Sequence, residues 1–208
     1  MGKLEAAEKR MQEIKIIESD FLESWKANNF PGISDTGAFL GNSFKITPQM
    51  TAFILEWIPK MDNKHGSQER LVRALSVTKK AFDGKLLMQL FDDPNSSFYL
   101  KWAIGNTMAS ANVLGVEEWI KKKFMGLTLG KENEMLVYAL GKYLEYNESQ
   151  AILIKIFDEY PLQVADTFAR IGEIENLMFL QKKVLQYKGE VQTQIKKAIK
   201  KLEKKTIK

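Results

Sequence analysis

The chain has 208 residues, 45% hydrophobic and 27% charged, with 31 Lys and Arg against 26 Asp and Glu, one His and no Cys. Without Cys there is no disulfide framework, thiolate zinc site, iron–sulfur cluster or thiol nucleophile, and the lone His65 excludes every multi-histidine metal site. No apolar run approaches the roughly 20 residues that span a bilayer, and residues 1–26 are too acidic and polar for a secretory signal, so the chain reads as a soluble cytoplasmic protein that implies no membrane and no cofactor.

In chain order, Gly and Pro divide the sequence into short helical runs, and hardly any stretch alternates strictly enough for a half-buried strand. Helices are expected near residues 3–26, 48–60, 67–77, 79–91, 96–110, 116–125, 132–145, 148–159, 161–172, 174–187 and 190–205. Thr47-Pro48 supplies an N-cap and a proline at the first helical position; Asp93-Pro94, Asn147-Glu148 and Tyr160-Pro161 read as similar starts. Gly115, Gly126, Gly130 and Gly189 read as stops or joints. Residues 1–47 form an N-terminal cap. In it Leu4, Met11, Ile14, Ile17, Phe21 and Trp25 give the first helix an apolar stripe, and a long loop at 28–46 carries Phe30, Ile33, Phe39, Leu40 and Phe44. Such a loop is either functional or a packed cover.

From residue 48 onward the helices repeat. One set aligns Leu71, Leu100, Leu136, Val164 and Ile195 at steps of 29, 36, 28 and 31 residues. Three positions on come Ala74, Ala103, Ala139, Thr167 and Ala198, then Leu75, Ile104, Leu140, Phe168 and Ile199, then the small residues Ser76, Gly105, Gly141 and Ala169. The intervening helices align Leu87, Ile120, Leu153 and Leu180, each followed four residues later by Phe91, Phe124, Phe157 or Val184, with Ile54 and Ile58 one unit earlier. An apolar residue with a small one three positions on shares a helix face and lets a neighbouring helix approach closely. A hairpin of about 30 residues cannot cover its own apolar face, so such units stack.

Asp93-Pro94, Leu100-Lys101, Ala103 and Ile104-Gly105-Asn106, with Ala139-Leu140-Gly141-Lys142, resemble the HEAT repeat, especially the short bacterial variety of bilin-lyase-type proteins. The resemblance covers residues 48–205 and implies an all-α, right-handed α-solenoid of about five helical hairpins over 48–208, closed by a basic C-terminal helix. It implies a non-catalytic protein-binding or scaffolding module whose second helices line a concave face. The alternative is nucleic-acid binding or the activity of a HEAT-like DNA glycosylase. For that alternative Trp102, Asn106, Asp166 and Arg170 are the residues to weigh, although Asp166 and Arg170 at i, i+4 read as an ordinary helix-surface ion pair. The charge distribution disfavours nucleic acid: residues 190–208 hold seven Lys and two acidic residues, and the remaining chain carries 24 charges of each sign.

The run from Glu117 to Phe124 is the best candidate binding surface. Ile120 and Phe124 belong to the core column, so Trp119, Lys122 and Lys123 project elsewhere. Trp119 either packs between units, as large aromatics mostly do, or stands exposed beside the lysines, where it suits a peptide or an acidic protein partner. The other candidates have structural readings. Gly126 to Lys131 resembles a phosphate loop but has Glu132 where a Mg-binding hydroxyl is needed and no preceding strand. His65 sits in a polar turn, Asp92-Asp93 and Asp158-Glu159 precede prolines as turn formers, and the lysines of 190–205 read as a solvated face over Ile195, Ala198, Ile199 and Leu202.

Overall fold

Local chemistry sets some of the helix starts. The computed structural model describes residues 2–40, 45–63, 65–126 and 129–206. Among them the chain is all-α apart from one pair of two-residue strands. It divides into two compact units, Met1–Gly115 and Val116–Lys208. The first holds α1 (Lys3–Ala27), α2 (Pro48–Trp57), α3 (Ser67–Leu75), α4 (Lys85–Asp92) and α5 (Phe98–Ser110). The second holds α6 (Glu117–Met125), α7 (Val137–Tyr143), α8 (Tyr146–Lys155), α9 (Pro161–Ile171), α10 (Ile174–Lys183) and α11 (Gly189–Thr206). At the start of α2, Met50 N–H donates to the Thr47 hydroxyl at 3.2 Å with Pro48 in the first turn, and at α5 Leu100 N–H donates to Ser97 at 3.2 Å. Gly115, which ends the first unit, has φ +73°, a left-handed conformation that a Cβ would strain.

Several expected boundaries move. Residues 79–84 are not helical. Phe82–Asp83 (β1) pairs in parallel with Val113–Leu114 (β2), with Phe82 N–H on Asn112 O and Gly84 N–H on Leu114 O, and α4 begins only at Lys85. Asp93-Pro94 does not start a helix: the Asp93 carboxylate accepts from Asn95 N–H at 2.8 Å as a turn, and Ser97 caps α5 instead. The expected helix at 132–145 opens as a 3-10 segment, Lys131–Leu136, before α7, and the helix expected at 148–159 is α8, Tyr146–Lys155. On α1 the buried stripe runs only from Ile14 through Phe21 to Trp25; Leu4 and Met11 are exposed.

In the first unit an aromatic cluster forms the N-terminal core. Trp25 has ring centroids of Phe30, Phe39 and Phe53 within 4.7, 5.1 and 5.6 Å, and its indole N–H donates to Pro31 O at 2.7 Å. A 3-10 turn, Thr36–Leu40, packs on α3, and the Arg70 guanidinium donates to the Thr36 hydroxyl at 2.7 Å. In the described part of the 28–46 loop Thr36, Phe39 and Ile46 are buried; Phe44 lies outside the described residues.

Both repeating columns are core. Leu71, Leu100, Leu136, Val164 and Ile195 are fully buried, with Ala74, Ala103, Ala139, Thr167 and Ala198 beside them. So are Leu87, Ile120, Leu153 and Leu180, with Phe91, Phe124 and Phe157; Val184 is half-buried. Within units, first-set helices pack on one another, α3 on α5, α7 on α9 and α9 on α11. Gly141 shows why small residues occupy that seam: a Cβ there would collide with the Ile171 side chain of α9.

Candidate functional site

The second-set helices α6, α8 and α10 of the second unit share one charge pattern. Each has acid in its first turn (Glu117 and Glu118, Glu148, Glu175) and lysine in its last (Lys122 and Lys123, Lys155, Lys182 and Lys183), in accord with the helix dipole. On α6, Ile120 and Phe124 turn inward. Trp119 is half-buried with the Lys123 ammonium 5.2 Å from its ring centroid, and Lys122 is exposed.

Helices α6 and α8 are joined by an ion pair between Lys121 and Glu148. The hydrogen bond and charge of Glu148 raise the Lys121 pKa above its ordinary value. Beside this pair lies a mainly apolar cavity of about 240 Å³ lined by Phe124, Met125, Ala151 and Ile152 and flanked by Lys121 and Lys155. Helices α8 and α10 are joined by Asn176: its Nδ2 donates to Gln150 Oε1, and its Oδ1 accepts from the Tyr146 hydroxyl at 3.1 Å and from Glu173 N–H at 2.9 Å. At the far end, Lys183 donates to both Asp158 oxygens at 2.6 and 2.8 Å and Tyr187 donates to Oδ1 at 2.6 Å, which holds the Asp158 carboxyl below the usual carboxylate range. Tyr146, Asn147, Gln150, Ile154, Glu173 and Glu175 line a second cavity of about 430 Å³ between α8 and α10.

Among the described residues of this unit, the exposed large apolar side chains all lie on these helices or on the 3-10 turn that continues α10. Met125 is 61% exposed, Ile154 46% and Met178 55%, with Ile174 and Leu185 also exposed. Sequence reading selected Trp119, Lys122 and Lys123 from α6 and missed the apolar residues and the α8–α10 cavity. One signal was available: Tyr146, Gln150 and Ile154 fall at i, i+4 and i+8, a single stripe of α8.

The remaining candidates have structural partners. Asp62 accepts from His65 N–H at 2.7 Å, faces the ring Nδ1 at 2.7 Å, and takes Arg10 at 2.8 Å, so it clamps the turn and ties α1 to it. Arg170 lies 4.0 Å from Asp166 and 5.0 Å from the Tyr138 ring centroid, and Lys201 also approaches Asp166. Arg73 covers the Trp102 ring at 4.8 Å. In the Gly126 to Lys131 run, residues 127 and 128 lie outside the described residues; the Glu132 carboxylate sits against Gly130, where it would repel a phosphate, and the Tyr160 hydroxyl donates to Gly130 O at 2.7 Å. On α11, Ile195, Ala198 and Leu202 are buried, while Lys196, Lys197, Lys200 and Lys204 are exposed. No helix among the described residues is long and apolar enough to cross a membrane. No protein-family model matches the chain, and neither a curated protein nor a solved structure matches it.

Proposed function

We propose that the chain is a non-catalytic protein-binding or scaffolding module, built as a HEAT-like right-handed α-solenoid of about five hairpins, and that α6, α8 and α10 present its docking face. The burial of both repeating columns and the packing of successive first-set helices support the repeat architecture. In HEAT-like arrays the second helices face the ligand. The observation that carries the functional reading is the exposure of Met125, Ile154 and Met178 on three such helices, where solvation of apolar surface is unfavourable unless a partner covers it. Lys121 and Lys155 flank the apolar α6–α8 cavity, so the segment that fits there is apolar with an acidic flank, and Trp119, Lys122 and Lys123 extend the proposed face along α6 outside that lining.

Selection of an unbiased displayed-peptide library on the full chain tests this. Enrichment of apolar, acid-flanked peptides is expected, with binding weakened about tenfold by Lys122→Glu with Lys123→Glu and by Trp119→Ala. Absence of any enriched sequence, or equal binding by these variants, would overturn the reading. Nucleic-acid binding, which the exposed lysines of α11 favour, has a separate signature: retention on duplex DNA that falls steeply with salt and disappears when residues 190–208 are removed.

A further inference from the structure

We propose that the cavity between α8 and α10 is a subsite for a Lys or Arg residue of an extended peptide segment, held by Glu173 and Glu175 at its charge and by Gln150 at its main-chain carbonyl. This rests on the reading of α6, α8 and α10 as a docking face and adds the chemistry of one position in the occupant.

The argument begins at Asn176, a buried side chain with every polar atom engaged. Its Oδ1 must remain the acceptor, because both Glu173 N–H and the Tyr146 hydroxyl donate to it. Its amide therefore points its hydrogens at Gln150 and fixes the Gln150 oxygen on that side. Gln150 is 9% exposed, and its Nε2 is left without any hydrogen-bond partner. Flipping Gln150 would set two amide donors against each other, so the orphan is built into the arrangement. A buried amide donor without an acceptor is unfavourable, and the group that relieves it is a carbonyl oxygen.

The other side of the cavity asks for the opposite charge. Glu173 and Glu175 both line it, and neither pairs with a Lys or Arg among the described residues. At the start of α10 it is the Glu173 main-chain carbonyl that accepts from Asn176 N–H, at 3.2 Å. Tyr146 senses both carboxylates: burial first, then the charges of Glu173 and Glu175, push its hydroxyl above the ordinary value. Ile154 and the Tyr146 ring add apolar surface on the α8 stripe. A carbonyl acceptor, an apolar stem and a cationic head, in that order, are what one Lys or Arg residue in an extended chain offers. An isolated cation would leave Gln150 unpaired, and a neutral peptide would leave the carboxylates without a counter-charge.

NMR titration of the full chain, read at the Ile154 methyl group, tests the subsite with four small probes: the N-acetyl N′-methylamides of arginine, lysine and norleucine, and agmatine, which is the arginine side chain without its carbonyl. Saturable shifts are expected with the arginine and lysine amides, and affinity lower by about three- to tenfold for the norleucine amide and in Glu173→Gln with Glu175→Gln. Gln150→Met should weaken the arginine amide and leave agmatine unchanged, a pattern that a general loss of structure would not give. Absence of a saturable Ile154 shift with the arginine and lysine amides, equal binding of the norleucine amide, or indifference to the glutamate and glutamine variants would overturn the subsite. Library-selected peptides that bind while carrying no basic residue would remove the subsite alone, whereas a library that yields no peptide removes the docking face itself.

Discussion

Gly141 of α7 faces the Ile171 side chain of α9. Gly141→Ala gains about 1 kcal/mol of helix propensity, yet its Cβ collides with the end of Ile171, and Ile171 Cγ1 and Cγ2 stand only 3.2 and 3.4 Å away. The expected outcome in urea denaturation is net destabilisation by about 1 kcal/mol in the wild-type background, reversing to stabilisation in an Ile171→Ala background. The same sign in both backgrounds would mean that the seam is not limited by this contact. Tyr160 gives a second residue-level test. Burial pushes its hydroxyl from 10.0 up to about 12, and burial followed by the Asp158 carboxylate does the same for Tyr187. Because the folded protein holds these protons more tightly than the unfolded chain, their contribution is complete below pH 10 and is lost as pH rises from 10 towards 12. Alkaline unfolding should follow that window, and Tyr160→Phe should flatten the pH dependence without changing its direction.

At the scale of elements, the stability of each helix comes from its buried column. Phe157 is fully buried and meets Phe179 edge-on at 5.1 Å, so Phe157→Ala should cost about 3–5 kcal/mol, against about 1 kcal/mol for Thr47→Ala, which removes a cap and no core. Chemical denaturation of both variants checks the ranking. These elements were legible because their causes are local or periodic: Thr47-Pro48 and Tyr160-Pro161 carry their own start signals, and the aligned Leu, Ala and Phe positions report which face is buried. Residues 79–84 were not legible, since Phe82 is held by backbone bonds to a strand some 30 residues away, and no window of sequence contains both partners. Asp93-Pro94 misled for a related reason. The same residue types that start helices also close turns, and only the Asp93–Asn95 bond decides between them.

For the whole molecule, the informative quantity is where polar and apolar groups are left unmatched. Charge is balanced outside the C-terminal helix and the column residues are buried, and among the described residues of the second unit the exposed large apolar side chains lie on α6, α8, α10 and the turn that follows, the face proposed for docking. The lysines and Trp119 of that layer could be read from α6 alone. The α8–α10 cavity could not, because Gln150 and Asn176 meet only when two helices 26 residues apart in sequence are packed together. Methionine methyl NMR of the full chain, titrated with a library-selected peptide, tests the docking face most directly, since the nine methionines sample both units. Met125 and Met178 are expected to shift and saturate together while the core residues Met50, Met61 and Met108 stay fixed. Saturating peptide that leaves Met125 and Met178 unmoved, or shifts confined to methionines of the first unit, would contradict the assignment of this face.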